Sequence, residues 1–139
     1  MKTFAMMVML AAVLAASSIA RAATPLGPGQ WGTANGNTLT IESIDATSGM
    51  IAGRFVAAVA QTPECKAGGH EQREVGWYNR ESHVIAFSIS VPQQGCSAVV
   101  SWSGHYDEDT QEILTQWMRT SGTNGATTML GTARFTRQR

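Results

Sequence analysis

Two neighbouring stretches, WSGHY at residues 102–106 and TQWMRTSGT at residues 115–123, decide how this chain folds. WSGHY lies in a predicted strand at residues 97–106, and TQWMRTSGT begins in the next predicted strand, residues 112–119, and runs into the turn that follows it. A run of three acidic residues at 107–109 separates the two strands. A short aspartate-rich segment between two strand-forming segments is typical of a hairpin turn. The pair therefore predicts adjacent antiparallel strands, each of which carries one tryptophan.

From Gln30 onward the chain continues this pattern of short strand-forming segments and turns, and no helical period is sustained over a helix-length window. Eight strands in about 110 residues predict an all-β domain, either a closed up-and-down barrel or a sandwich. The predicted strands are a short segment around Trp31 and residues 38–44, 50–60, 75–79, 83–91, 97–106, 112–119 and 128–136.

Residues 1–22 are expected to be a secretory signal peptide. Lys2 gives a positive start, residues 4–16 form an apolar run, and residues 20–22 have the small-x-small pattern of a cleavage site. The alternative, a membrane anchor, needs about 20 apolar residues, and this run is shorter. We expect cleavage after Ala22, a single domain at residues 23–139 with no membrane span, and a secreted or periplasmic protein.

The charge content is low, since 14% of the 139 residues are charged, with ten Lys and Arg against ten Asp and Glu. Loss of Lys2 and Arg21 with the signal peptide reduces the ten basic residues to eight, so the remaining chain is slightly acidic. This balance gives no broad basic surface for a nucleic-acid backbone, and the few charges argue against disorder. No nucleic-acid partner is expected, and a partner must be recognised by shape and local chemistry.

The two cysteines, Cys65 and Cys96, have thirty residues between them. An even pair in an oxidising compartment favours a disulfide, and the loop-entropy account assigns such a closure about 3 to 4 kcal/mol. The alternative is a metal site that combines the cysteines with His70, His83 or His105, but no two of the five have close ligand spacing. We expect an intrachain disulfide and no metal.

The sequence contains no recognisable catalytic motif. The histidines are scattered singly, with neither a G-x-S-x-G elbow nor a Cys-His-Asn arrangement. The acidic run at 107–109 lacks the glycine spacing of a calcium loop, so a solvated turn is the expected structure. The pattern favours a binding or structural protein without a cofactor over an enzyme.

Together with LGTARFT at residues 130–136, the WSGHY and TQWMRTSGT stretches closely resemble the avidin and streptavidin family. Trp31, GNT at residues 36–38 and GRF at residues 53–55 follow in the family's order. The resemblance implies an eight-stranded antiparallel up-and-down β-barrel whose open end holds biotin. The cysteine positions are similar to those of the disulfide-bearing, dimeric rhizavidin-like members. The tryptophan that caps tetrameric members falls near Gly125, and a homodimer is therefore expected.

The resemblance places most polar contacts of biotin at positions where this chain has apolar residues. The family's contact positions are Thr33, Asn37, Phe55 and Ala57 for the ureido oxygen, Ala133 for the ureido nitrogens, Ala98 and Val100 for the tail and sulfur, and Val91 for one cage tryptophan. All of them except Thr33 and Asn37 are apolar. Trp102 and Trp117 retain two walls of the aromatic cage. Because each buried ligand group left without a partner costs ~1–3 kcal/mol, the resemblance implies weak biotin binding or none.

Strand alternation gives a consistent interior without reference to the family, because alternate residues of a barrel strand point inward. The interior is then almost wholly apolar, with Trp117 beside it and Arg119 at its rim. Such side chains either fill the core or, since several are Ala or Gly, leave a ligand-sized hollow, and both alternatives stay open. The predicted inward residues are Gly53, Phe55, Ala57, Val59, Phe87, Ile89, Val91, Ala98, Val100 and Trp102.

Three functions are compatible with this sequence. The first is a small-ligand-binding protein that takes biotin weakly. The second is a structural or interaction module that has lost the pocket, and the third is a carrier of an apolar ligand whose carboxylate meets Arg119. The candidate ligand-binding residues are Thr33, Asn37, Phe55, Ala57, Val59, Val91, Ala98, Val100, Trp102, Trp117, Arg119 and Ala133.

Overall fold

The computed structural model describes residues 23–58, 69–91, 97–122 and 126–139. Eight strands form a closed barrel in chain order, and this confirms the predicted all-β up-and-down fold. In the described part of the chain, no helix is long and apolar enough to cross a membrane. The strands are β1 (Gly29–Gly32), β2 (Thr38–Ile44), β3 (Met50–Val56), β4 (Glu71–Tyr78), β5 (Val84–Val91), β6 (Ala98–Asp107), β7 (Glu112–Ser121) and β8 (Thr127–Arg137).

Each strand pairs antiparallel with the next, and β1 closes the barrel by pairing with both β2 and β8. The hairpin predicted first, β6 with β7, is paired along its full length from Ala98 opposite Ser121 to Asp107 opposite Glu112. Trp102 and Trp117 are directly opposite each other in this ladder. The stretches that decide the fold therefore also bring the two tryptophans together.

Two strand boundaries differ from the sequence-based prediction by four residues, and the others agree to within two. β3 ends at Val56 and not at residue 60, because the backbone N–H of Ala58 donates to Asn37 Oδ1 (3.0 Å) and the carbonyl of Ala57 accepts from Gly69 N (2.7 Å). These bonds take the chain out of the sheet. β4 begins at Glu71, four residues before the predicted start, because its pairing with β3 runs on to Val56.

Aspartate side chains close two of the turns. Asp45 Oδ1 accepts from the backbone N–H groups of Thr47 (3.0 Å) and Ser48 (2.7 Å) between β2 and β3. Asp107 Oδ1 does the same for Asp109 and Thr110 between β6 and β7. These hydrogen bonds stabilise the charged carboxylate and lower the pKa of both aspartates. The acidic run at 107–109 is thus a turn.

The core fills the barrel with side chains from alternate positions, and the predicted parity holds for β3, β5 and β6. Trp102 lies at its centre, stacked on Phe87 (5.0 Å between ring centroids) and tilted against Phe55 (4.9 Å). The buried core residues are Leu26, Trp31, Leu39, Ile41, Ile51, Phe55, Tyr78, Ile85, Phe87, Ile89, Val91, Val100, Trp102, Tyr106, Ile113 and Phe135.

Strand β4 departs from this pattern, because it places a carboxyl group in an interior that is otherwise mostly apolar. Glu74 points inward and is 1% exposed, whereas its apolar neighbours Val75 and Trp77 point outward and are 57% and 59% exposed. Tyr78, which is buried and bonded to His83 Nδ1 through its hydroxyl (3.1 Å), fixes the inward parity at the end of the strand. Counting back from Tyr78 by twos leads to Gly76 and Glu74.

Candidate functional site

A cavity of about 270 Å³ opens at the end of the barrel where β3 ends and β6 begins. We call it the mouth cavity. The sequence left open whether the interior is filled or hollow, and the cavity answers this question at the mouth. Its lining residues are Thr33, Ala34, Asn35, Asn37, Phe55, Val100, Trp102, Trp117, Thr132, Ala133, Arg134 and Phe135.

Aromatic rings form the main walls of the mouth cavity. Phe55 and Trp102 belong to the core cluster, and Trp117 lies across the face of β8 with its Nε1 donating to the carbonyl of Thr132 (3.3 Å). Gly131 makes this position possible, since a Cβ at residue 131 would lie 2.5 Å from the Trp117 ring. Flat, rigid walls of this kind suit a small ring-containing ligand.

Two polar side chains lie at the edge of the cavity, in the loop between β1 and β2. Thr33 Oγ1 accepts from the backbone N–H of Asn37 (3.1 Å), and Asn37 Oδ1 accepts from Ala58 N (3.0 Å). These bonds use acceptor atoms only, so the Thr33 hydroxyl hydrogen and the Asn37 amide hydrogens can still be donated. The loop therefore offers two hydrogen-bond donors to an oxygen atom of a ligand.

Ala133 lies in the opposite wall of the mouth cavity and is half-buried. Its side chain is a methyl group and cannot accept a hydrogen bond. Its backbone carbonyl accepts from Thr115 Oγ1 (3.2 Å). Ala57 is half-buried against the core. N–H donors of a ligand would find no partner among these two alanines.

The structure places the predicted site residues in three groups. Seven of them line the mouth cavity: Thr33, Asn37, Phe55, Val100, Trp102, Trp117 and Ala133. Four are partly or fully buried beside it and do not line it: Ala57, Val91, Ala98 and Arg119. Val59 lies outside the described residues, as do Cys65, Cys96, Gly125 and the expected signal peptide.

Arg119 is more enclosed than a residue at the rim of the barrel would be. It points inward from β7 between Val100 and Met129, is 8% exposed, and donates through Nη1 to Met129 Sδ (3.9 Å). A ligand carboxylate in the mouth cavity would not meet this guanidinium directly. The arrangement therefore does not favour the apolar-carboxylate carrier.

Glu74 is the polar residue that the sequence analysis missed. No described residue donates a hydrogen bond to either carboxyl oxygen, and burial, with a smaller contribution from the charge of Glu42, raises the pKa of Glu74 to about 7. Val75 and Trp77 are apolar, and hydrophobicity would place them inside the barrel, but they point outward. The sequence signal for an inward Glu74 was its spacing of four residues from Tyr78, since alternate residues of a strand share a face. A prediction based on apolar residues assigns the opposite face.

The described part of the chain has no group of three or more His, Cys, Asp or Glu side chains that could hold a metal ion. His83 instead contacts Glu108 (Nδ1 to Oε1, 3.4 Å) at the closed end of the barrel. The expected disulfide between Cys65 and Cys96 stays a prediction. The chemistry of the site is therefore that of a binding cavity with aromatic walls and two donors.

Comparisons with known proteins agree with the barrel fold described above. The family profile described as "Avidin family" matches residues 23–138. No curated protein matches the sequence at a significant level.

Solved structures match the fold over most of the chain. A bradavidin2–biotin complex is 22% identical, with a TM-score of 0.68, over 82% of this chain and 99% of its own. Apo shwanavidin is 23% identical, with a TM-score of 0.68, over 82% of this chain and 97% of its own. A rhizavidin–biotin complex is 21% identical, with a TM-score of 0.67, over 82% of this chain and 93% of its own. Identities this low show the shared fold.

Proposed function

The chain belongs to the avidin family, and on that premise we propose that it is a binding protein whose mouth cavity takes biotin or a small ligand of similar shape. Bradavidin2 and rhizavidin are described in complexes with biotin. A binding role, with no reaction catalysed, fits a site made of aromatic walls and hydrogen-bond donors.

The observation that carries this proposal is the combination of Trp102 and Trp117 with two donors in one cavity. Biotin has a compact bicyclic ring that flat aromatic walls can enclose, and its ureido oxygen can accept from Thr33 and Asn37. A structural module without a ligand would gain nothing from a hollow at this place. The cavity therefore favours the ligand-binding function over the interaction module.

We expect the affinity for biotin to be weaker than that of the tightest complexes known, which reach −18 to −21 kcal/mol. Ala133 provides no side-chain acceptor for the ureido N–H groups, and Phe55 and Ala57 provide no side-chain donor for the ureido oxygen. Each unpaired group costs ~1–3 kcal/mol, and a loss of four or five partners amounts to roughly 5 to 15 kcal/mol. The dissociation constant should then lie between about 1 nM and about 1 mM.

Calorimetric titration with biotin of the protein and of two tryptophan variants tests the proposal. Trp117→Phe should weaken biotin about tenfold, because it removes part of a cavity wall and the bond to Thr132. Trp77→Phe is the matched control, since Trp77 is on the outer face of β4, and it should leave the affinity unchanged. Equal affinities for both variants would place the ligand elsewhere.

We further propose that the protein is exported after cleavage behind Ala22, carries a Cys65–Cys96 disulfide and forms a homodimer. The apolar run and cleavage pattern of residues 1–22 and the even cysteine pair support the first two. An apolar patch on the outer surface supports the third, since Met118 of β7 and Leu130 of β8 face each other in the ladder and are 47% and 75% exposed.

A further inference from the structure

The carboxyl group of Glu74 has no role in the function proposed above. It lies inside the barrel between Gly53 of β3 and Ile89 of β5, its register partners. A Cβ at residue 53 would clash with the backbone carbonyl of Thr40 and would also lie 2.5 Å from Glu74 Oε2. The glycine is therefore required by the backbone, and its missing side chain also leaves space for the carboxyl.

Glu74 lies next to the mouth cavity. Its β5 partner Ile89 is paired with Val100, and Phe55 follows Gly53 on the inward face of β3. Both Phe55 and Val100 line the cavity. Inward side chains at diagonal positions of neighbouring strands are within reach of a long side chain. Glu74 itself does not line the cavity, so a change in its side-chain torsions must carry the carboxyl there for the two to act together.

The buried cation Arg119 does not neutralise this acid. The register partners run from Glu74 to Ile89, to Val100 and to Arg119, which places the two charges three strands apart. Arg119 is not among the charges that act on the Glu74 carboxyl, and no ion pair joins the two side chains. Glu42 is the charge that acts on Glu74, and it is itself an acid that raises the pKa of Glu74. Within the described residues the carboxyl has no counter-charge.

We propose that Glu74 makes the mouth cavity select ligands whose buried head is a planar cation with two adjacent N–H donors, a cyclic guanidinium or amidinium. Two oxygens without partners on one carboxylate match two parallel N–H donors, and guanidinium groups bind carboxylates in this bidentate manner. The inference rests on the proposed ligand-binding function of the cavity and assigns the head group that it prefers.

Calorimetry at pH 8 with biotin and 2-iminobiotin tests this inference. The second ligand keeps the rings and the tail of biotin and replaces the ureido carbonyl by a cyclic guanidinium. Glu74→Gln should reduce the preference for 2-iminobiotin relative to biotin at least tenfold. Glu81→Gln is the matched control, because it removes the same charge from an exposed residue that does not act on the Glu74 carboxyl, and it should leave the ratio unchanged.

A second measurement uses the unaltered protein and covers the case in which Glu74→Gln does not fold. Near pH 6 the carboxyl is mostly protonated, so a cationic head should expel its proton on binding, and the heat should depend on the ionisation enthalpy of the buffer. Biotin should show no such dependence. Proton release with 2-iminobiotin supports the inference, and its absence overturns it.

The outcomes separate this inference from the proposed function. If biotin binds and the ligand ratio is the same with and without Glu74, the inference fails and the function stands. If biotin gives no heat while 2-iminobiotin binds in a Glu74-dependent way, the biotin proposal fails and the inference stands. If neither ligand binds, both are wrong.

Discussion

At the scale of single residues, Glu74 is the position where this barrel departs most from ordinary packing. A buried carboxyl without a hydrogen-bond partner destabilises the fold, and the cost rises when the group is charged. Both oxygens of Glu74 are in this state among the described residues. Local violations of packing rules concentrate at functional sites, where the lost stability is offset elsewhere.

The raised pKa of Glu74 predicts how stability depends on pH. Because the folded state holds the proton up to about pH 7 and the unfolded chain releases it near 4.5, the free energy of unfolding should fall as pH rises between these values. The loss is on the order of 3 kcal/mol. Above pH 7 this contribution should be constant.

Replacement of Glu74 by leucine checks this account. Glu74→Leu should be more stable than the original protein by roughly 1–3 kcal/mol at pH 8 and nearly equal at pH 4, since the uncharged acid costs less. Urea unfolding at both pH values measures the difference. An equal change of stability with pH in both proteins would show that another group is responsible.

Strand alternation predicted the inward position of Trp102, which the structure shows opposite Trp117, and it did not identify Glu74 as an inward residue. The tryptophans lie in strands whose alternation agrees with hydrophobicity, so parity and family resemblance give the same result. On β4 hydrophobicity and burial disagree. Val75 and Trp77 are apolar but exposed, whereas Tyr78 is buried on the opposite face. Tertiary packing decides between them, and hydrophobicity alone predicts the wrong face.

At the scale of the strands, β8 provides the platform on which Trp117 lies. The strand is paired with β7 from Thr127 to Thr136, with Gly131 directly opposite Trp117. The sequence predicted this strand as residues 128–136, close to the observed bounds, because turn-forming residues at 121–125 precede it. It did not predict that the glycine leaves space for the indole ring, since ring placement depends on contacts between strands.

Substitution of Gly131 should therefore damage the cavity more than the barrel. In Gly131→Ala the new methyl group would force the Trp117 ring away, which should lower ligand affinity about tenfold and stability by about 1–3 kcal/mol. Gly122→Ala is the matched control, because a Cβ there meets no described atom within 4 Å. Near-UV circular dichroism and calorimetry measure both effects. Unchanged affinity in Gly131→Ala would show that the position of Trp117 is unimportant.

At the scale of the whole molecule, the described residues form two apolar patches on the outer surface of the barrel. One is centred on Met118 and Leu130 of β7 and β8, and the other on Met50 and Trp77 of β3 and β4. Patches of this kind mark interaction surfaces. We assign the first to the proposed dimer, because Leu130 is the most exposed large apolar residue described.

Native mass spectrometry of the exported protein tests this assembly. We expect a dimer of residues 23–139, with each subunit two mass units lighter than the reduced chain because of the Cys65–Cys96 disulfide. Leu130→Glu should give monomers, whereas Trp77→Glu, on the other patch, should remain dimeric. Two free thiols per subunit would contradict the disulfide, and a dimeric Leu130→Glu would contradict the assigned surface.

The central claim is that the mouth cavity binds a ligand such as biotin, and the indole N–H signals of the protein labelled with ¹⁵N-tryptophan test it most directly. On titration with biotin to about 1 mM, the signals of Trp102 and Trp117 should move, because both rings line the cavity. The signal of Trp77, on the outer surface, should stay in place. Absence of any shift, or a shift confined to Trp77, would contradict the claim.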